Sequence, residues 1–300
     1  MFCVYIHIPF CRKICDYCDF RVIPSQKVLF SEYTELLCKQ IVCFEGRHPG
    51  LLATAKTLYL GGGTPSELPA PFIRKIFQCL ESVGVRTWNL DEVSMEFNPE
   101  STNEETLQNA LDMGVNRVSL GLQTFDAELL CRVGRSHSVQ MGLEALKLLT
   151  LAPVQVNADL MFDLPGQTVQ GFLDDVDRLS DFPLNHISFY GLNVSPRSRL
   201  GHRVSRGEFS INEDLYEPMY LGGVDILERK GFLTHEPKGR GYVYSSTIAK
   251  EDYGKSKLGT FVDHYFKKSY LKLVSALIEN ENVTEQELLD YLQELKNNKR

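Results

Sequence analysis

The chain has 300 residues, 43% hydrophobic and 24% charged, which is ordinary globular composition and enough for one large α/β domain or two smaller ones. Its 39 acidic residues outnumber 32 scattered basic ones, and the formal net charge of −7 argues against a nucleic-acid partner. No charged leader with a long apolar core opens the sequence and no run of ~18 apolar residues occurs, so a soluble, cytoplasmic protein without an integral membrane segment is expected.

In chain order, short apolar runs rich in β-branched residues alternate with amphipathic helical patterns. Strands are predicted at residues 4–10, 56–62, 92–98, 116–123, 154–164 and 186–194, and helices at 30–45, 71–83, 104–113, 140–149 and 170–180. The strands read as apolar on both faces, which indicates an α/β parallel sheet covered by helices. About 200 residues fall short of the ~250 of a complete eight-stranded barrel, so an open, six-stranded partial β/α barrel is expected. After Pro196 the pattern changes to an Arg-rich connector, a helical stretch near Tyr216, and a Gly-, Lys- and Ser-rich segment that reads as loop or irregular strand. The tail predicts two helices, the second with Thr284 as N-cap and Glu287 at capping-box spacing. The expected organisation is a barrel at 1–196 and a mainly helical region at 197–300, a candidate cover for the barrel.

Eight cysteines without a secretion signal read as thiols or ligands and not as disulfides. Cys3, Cys38, Cys43, Cys79 and Cys131 fall in strand or helix patterns and are expected to be buried structural thiols. Cys11, Cys15 and Cys18 are different, because they crowd the loop after the first strand. In a parallel α/β sheet, ligands sit beyond the carboxyl ends of the strands, where the loops converge. The other unusual segments stand there too: "GGGTP" after the second strand, "EFNPE" at the third, "GLQTF" at the fourth, "DLMFDLPGQT" at the fifth and "FYGLN" at the sixth.

A structural zinc site normally takes four ligands from paired short spacings, and no second CxxC occurs. His7, in a strand ending at Pro9, would sit behind the loop. Three thiolates on a four-iron cluster leave one iron open to an outside ligand. The triple glycine either lets backbone approach a ligand or makes a tight βα turn. Glu96 would be costly to bury unpaired, and a ribose hydroxyl pair or an ammonium would partner it. Gln123 and Asp159 are polar intrusions of the same kind, and Arg135 comes from the loop "RVGRSHS". These four read as ligand contacts or as an internal hydrogen-bond network.

The CxxxCxxC spacing, with Tyr17 just before the third cysteine, resembles the signature of radical S-adenosylmethionine (SAM) enzymes. The resemblance implies a 4Fe-4S cluster on Cys11, Cys15 and Cys18, whose open iron is chelated by the amino and carboxylate groups of SAM. It also implies reductive cleavage of the sulfonium to methionine and a 5′-deoxyadenosyl radical. Strand-end position and resemblance together give Tyr5, Tyr17, Gly62, Gly63, Thr64, Glu96, Gln123, Arg135, Asp159 and Gly191 as the SAM site. No catalytic side chain is singled out.

"YIHIPFCRKICDYCDF", "YLGGGTPSEL", "EFNPES", "GVNRVSLGLQTFDAELLCRVGRSHS", "DLMFDLPGQT" and "HISFYGLNVSP" resemble consecutive blocks of the oxygen-independent coproporphyrinogen III oxidase-like family, from Tyr5 to Pro196. That family holds an anaerobic decarboxylase of haem synthesis and the HemW-type haem chaperones. Phe20 stands where the decarboxylase carries a fourth cysteine, and the first cluster ligand is already residue 11. Both features resemble the chaperone branch, yet its HNxxYW haem motif has no counterpart in "FLTHEPKGRGYVYSS", and the only Trp is Trp88. His235 or His264 would be the substitute haem ligand, or merely solvated. Arg197, Arg199, His202, Arg203 and Arg206 form either a solvated basic loop or a contact for porphyrin propionates. The resemblance further implies a flavodoxin or ferredoxin as electron donor, and haem or porphyrin as a ligand. A HemW-like chaperone, a coproporphyrinogen decarboxylase, and a radical enzyme with another substrate are the functions in view.

Overall fold

Strand β1 (Phe2–Ile8) alternates: Ile6 and Ile8 are buried, while Cys3 and Tyr5 are exposed. The computed structural model describes residues 2–239, 241–247, 262, 269–279 and 286. Beside β1 it places β2 (Ala55–Gly62), β3 (Glu92–Phe97), β4 (Arg117–Gln123), β5 (Gln155–Phe162) and β6 (His186–Gly191), all parallel and paired in sequence order. The helices α1 (Lys27–Arg47), α2 (Ala70–Ser82), α3 (Glu104–Asp112), α4 (Ala127–Arg132), α5 (Val139–Leu151) and α6 (Val169–Leu179) connect them. This is the expected α/β partial barrel of six strands. Polar caps set several helix starts, since Asn103, Asp126, Ser138 and Thr168 each accept a first-turn backbone N–H. The six-residue α4 is too short to show periodicity and was not expected.

The core lies between sheet and helices. Leu58, Leu60, Val93, Val118, Leu120, Val156 and Leu160 bury against Ile73, Ile76, Leu80, Leu146, Leu149, Phe172 and Val176. The opposite face of the strands is polar, which corrects the expectation of strands apolar on both faces. Tyr59 donates to Glu96 Oε1 at 2.8 Å, Ser119 to Asp159 Oδ2 at 3.1 Å, Asn157 Nδ2 to Ser119 and Asp159 at 2.7 Å, and Ser188 to Asn157 at 3.1 Å. An open barrel has room inside for polar side chains, whereas a closed one fills its interior with apolar layers.

Beyond Pro196 the expected connector is instead partly helical: α7 (Arg199–Ser205), capped by Ser198, precedes α8 (Tyr216–Arg229). Gly222 and Gly223 of α8 lie against Leu173 of α6 and against Phe172 and Phe189, too close for a Cβ without movement. An antiparallel hairpin of β7 (Leu233–Lys238) and β8 (Gly241–Ser246) follows. Met1–Thr247 and Ile248–Arg300 form two compact units, so the boundary expected after residue 196 falls inside the first. In the second unit, α9 (Tyr270–Glu279) is a described helix. Thr284, Glu287 and His264 lie outside the described residues. Among the described residues no helix is long and apolar enough to cross a membrane.

All eight cysteines are free thiols, but the five expected in the core are not there. Cys3, Cys43 and Cys131 are exposed, and Cys38 and Cys79 are half-buried between α1 and α2. A thiol is small enough to fit helix periodicity on either face, so the pattern could not place it.

One buried carboxylate ties α6 to the loop after β4. Asp175 accepts from Thr124 Oγ1 at 2.6 Å and from the Phe125 N–H at 2.9 Å. Burial nevertheless pushes its pKa up to about 6. The folded state therefore holds this proton more tightly than the unfolded chain. The stabilisation is complete below about pH 4 and lost as pH rises through about 6, a change of about 3 kcal/mol. Urea unfolding across this range should show the wild type losing this component and Asp175→Asn lacking it.

Candidate functional site

The cysteine loop is pinned before any ligand arrives. Ile23 N–H donates to Pro9 O at 2.8 Å and Ser25 N–H to Cys11 O at 2.8 Å, so the loop returns beside its own start before entering α1. Gly63 N–H donates to Ile8 O at 2.8 Å and Thr64 N–H to Phe10 O at 2.8 Å, which locks "GGGTP" against the same segment. A Cβ on Gly63 would sit 2.8 Å from Ile8 O and Phe10 O, and Gly62 adopts φ +111° with its α-carbon facing the His7 ring. In this arrangement the glycines serve close approach within the protein, between β1 and β2.

Arg135 is at the centre. Only 9% exposed, it donates from Nη1 to Cys15 Sγ at 3.4 Å, and from Nη2 to Asn98 Oδ1 at 2.9 Å and Gly121 O at 2.6 Å. Asn98 Nδ2 donates to Thr64 Oγ1 at 2.8 Å, and the Thr64 hydroxyl faces Cys11 Sγ at 3.7 Å. Burial disfavours the Arg135 charge, but Tyr17, Cys15 and Glu100 raise its pKa overall. Burial raises the Cys11 thiol to about 11 and also raises Cys18. Burial first, and the adjoining Cys15 second, keep the Tyr17 hydroxyl protonated.

The three thiols interact with one another, yet among the described residues no three His, Cys, Asp or Glu side chains are arranged to hold a single metal ion. Zinc would need its sulfurs converging at about 2.3 Å on one point. A multi-iron cluster is larger, takes each thiolate on a separate iron, and is anionic. A loop of three spaced thiols with one guanidinium aimed at Cys15 therefore fits a cluster better than an ion.

Beside the loop a cleft of about 380 Å³ is lined by Tyr5, His7, Phe20, Arg21, Gly62 and Glu96. Glu96 accepts from Tyr59 Oη at 2.8 Å and from Gly62 N–H at 2.9 Å. Burial raises its pKa, and those two hydrogen bonds pull it back. Tyr5 stacks on Tyr59 with ring centroids 5.9 Å apart. Tyr5, Gly62 and Glu96 thus share the cleft, while Tyr17, Thr64 and Arg135 surround the thiols. Gln123 ends β4 with φ +72°, an uncommon backbone for a non-glycine residue, beside a register shift against β5. Asp159 lies deeper, in the polar inner network, with its pKa raised by burial. A Cβ on Gly191 would run into Tyr216 and Phe162, so its place under α8 accounts for the missing side chain.

Sequence reading passed over Asn98, Glu100 and His137, although two of them lie in the quoted "EFNPE" segment. Ser136 donates to Glu100 Oε1 at 2.6 Å, and Arg12 Nη1 to Glu100 O at 2.8 Å. His137 Nδ1 lies 3.6 Å from Glu100 Oε2, too far for a hydrogen bond, and burial lowers the His137 pKa. Burial works to raise the Glu100 pKa, but His137, Arg135 and Ser136 outweigh it and hold it at about 2. Its stabilisation is present above about pH 4.5 and lost as pH falls through about 2. Glu100→Gln should cost at most about 3 kcal/mol at neutral pH, and the difference from wild type should shrink on acidification towards pH 2. Chemical unfolding as a function of pH measures both.

Similarity to known proteins agrees with this geometry. The Radical SAM superfamily pattern matches residues 5–179, and a second pattern, Penicillinase repressor, matches residues 224–297. The haem chaperone HemW of Lactococcus lactis is 32% identical over 235 residues, which is 77% of this chain and 60% of the relative. HemW of Escherichia coli is 32% identical over 241 residues, 78% of this chain and 61% of the relative. The chain thus spans about three-fifths of the length of these relatives. The solved structure of Escherichia coli HemN, a coproporphyrinogen III oxidase, superposes with a TM-score of 0.68 over 85% of this chain and 58% of that one; at 21% identity this likeness concerns the fold alone. With the pattern covering more than half of the residues, the chain belongs to the radical SAM superfamily, and among its members it is similar to the HemW type.

Proposed function

We propose that this protein is a HemW-like accessory protein of porphyrin metabolism, acting in the cytoplasm with a flavodoxin- or ferredoxin-type electron donor. Superfamily membership carries with it a 4Fe-4S cluster and SAM. The observation that carries the proposal is the pairing of a three-thiol loop, braced by Arg135, with an adjoining cleft floored by Glu96. Cys11, Cys15 and Cys18 would hold the cluster, which supplies one electron to the sulfonium when both groups are bound.

The chain's own groups would do the rest. Glu96 offers a carboxylate already oriented by Tyr59 and Gly62, suited to an ammonium or a ribose hydroxyl pair. Tyr5 presents an exposed ring against which a flat group can stack. Tyr17 and Arg135 shield Cys15, and Gly63 and Thr64 hold the loop at the right height. Gln123 and Asp159 would bound the deeper part of the site, and Gly191 would do so through its backbone. At the edge, Arg203 and Arg206 are paired with Glu208 at 3.0 and 2.9 Å, whereas Arg199 reaches Asp16 only at 4.0 Å, so Arg197 and Arg199 would be the cations for porphyrin propionates. Phe20, 68% exposed in place of a fourth cysteine, favours the chaperone reading over decarboxylation.

Anaerobic reconstitution should give a brown protein with about four irons per chain. Replacing Cys11, Cys15 or Cys18 by Ser should abolish cluster uptake, while Cys3→Ser and Cys131→Ser retain it. Glu96→Ala should keep the cluster and bind SAM at least tenfold more weakly. Replacing Arg197 and Arg199 together should weaken haem or porphyrin binding without changing iron content. Stoichiometric vinyl-group formation from coproporphyrinogen, with 5′-deoxyadenosine release, would replace the chaperone reading with decarboxylation.

A further inference from the structure

Asp16 sits between the second and third cysteines of the loop, and nearly every polar atom it has is engaged by segments distant in sequence. Its N–H donates to Val133 O at 2.9 Å, and its carbonyl accepts from the Leu200 N–H of α7 at 2.7 Å. Its carboxylate accepts from Arg203 Nη1 at 3.0 Å, with Arg199 Nη1 at 4.0 Å. Gly134, at φ +76°, leaves room that a Cβ would take, 2.9 Å from Asp16 Oδ1.

Arg203 is held as firmly on its own side. Its Nε donates to Glu208 Oε2 at 3.0 Å, and its guanidinium lies 4.4 Å over the Phe209 ring. Under this contact, Leu200 is fully buried with Leu129, Val133, Met161, Leu164 and Leu192, and Tyr17 packs against the same set. The segment after the sixth strand is therefore clasped onto the cysteine loop by the Asp16–Arg203 ion pair, with Arg199 at 4.0 Å, over one apolar patch.

We propose that Asp16 and Arg203 are positioning residues that clasp α7 over the cysteine loop and set the reduction potential of the group bound there. The proposal rests on the reading of Cys11, Cys15 and Cys18 as cluster ligands. Reduction adds negative charge to the cluster, so an uncompensated charge beside Cys15 biases it by its sign. Arg203→Met removes one positive charge at Asp16 and leaves its carboxylate with the more distant Arg199, at 4.0 Å, which disfavours reduction. Asp16→Asn keeps the shape but removes one negative charge beside Cys15 and leaves Arg203 with Glu208 as its carboxylate partner, which favours it.

The test is redox titration of the reconstituted wild type, Arg203→Met, Asp16→Asn and the double variant. The reduction equilibrium should shift about threefold to tenfold, tenfold being ~59 mV for one electron, in opposite directions in the single variants, with the double variant near wild type. A merely structural loosening would move both singles the same way; that result, or no shift in either, overturns the proposal. If the wild type takes up no cluster, the functional reading fails, and hydrogen exchange of the metal-free protein decides the clasp. The amides of Asp16 and Leu200 should then exchange at least tenfold faster in Arg203→Met, and unchanged exchange overturns the clasp.

Discussion

Arg135 carries a positive charge into the interior and can remain there only because other groups compensate it. Its hydrogen bonds run to Cys15, Asn98 and Gly121, which belong to the first loop, the end of β3 and the end of β4. Removing any of these partners would leave a desolvated cation without its share of compensation, a far larger penalty than the loss of an exposed pair. The same bonds bring three strand ends to fixed positions around the thiols. Asn98 passes the constraint to Thr64, and Thr64 passes it to Cys11. A loop of three cysteines would otherwise be an irregular surface segment; here it is framed by one buried guanidinium.

The barrel supplies this frame cheaply because its two faces are specialised. The helix-facing side chains of the strands bury in the core, and those on the other face form a hydrogen-bonded polar surface. Such a surface can receive a polar ligand without desolvating unpaired groups, since Glu96 and Asp159 already have donors. Burial raises the pKa of both carboxylates, so each is poised to gain from a cationic or hydroxyl-bearing guest. The donor set, the cleft and the placement of the thiols thus point to the same chemistry.

Much of this was legible in the sequence, and the reason is geometric. Periodicity located six strands and five helices to within a few residues, and parallel topology brought Cys11, Gly62, Glu96 and Arg135 to one end. What escaped was of a different kind. The inner polar face was missed because Ser119, Asn157 and Ser188 are separated along the chain by apolar neighbours that dominate the pattern. Asp16 and Arg203 lie 187 residues apart, and a single sequence holds no sign that they meet. That Gly191 packs under Tyr216 and Phe162 was equally hidden, because it depends on a helix that begins 25 residues later. Cys38 and Cys79 fit a helical stripe that turned out to be half-buried, because thiols report periodicity weakly.

The central claim is that three cysteines bind a four-iron cluster and leave one iron for an outside ligand. Mössbauer spectroscopy of the anaerobically reconstituted protein, recorded before and after addition of SAM, addresses it most directly. The account predicts that one iron site in the four changes its spectrum when SAM is added, while the other three keep theirs. Four sites that all remain unchanged, or a spectrum of mononuclear iron on thiolates, would contradict it.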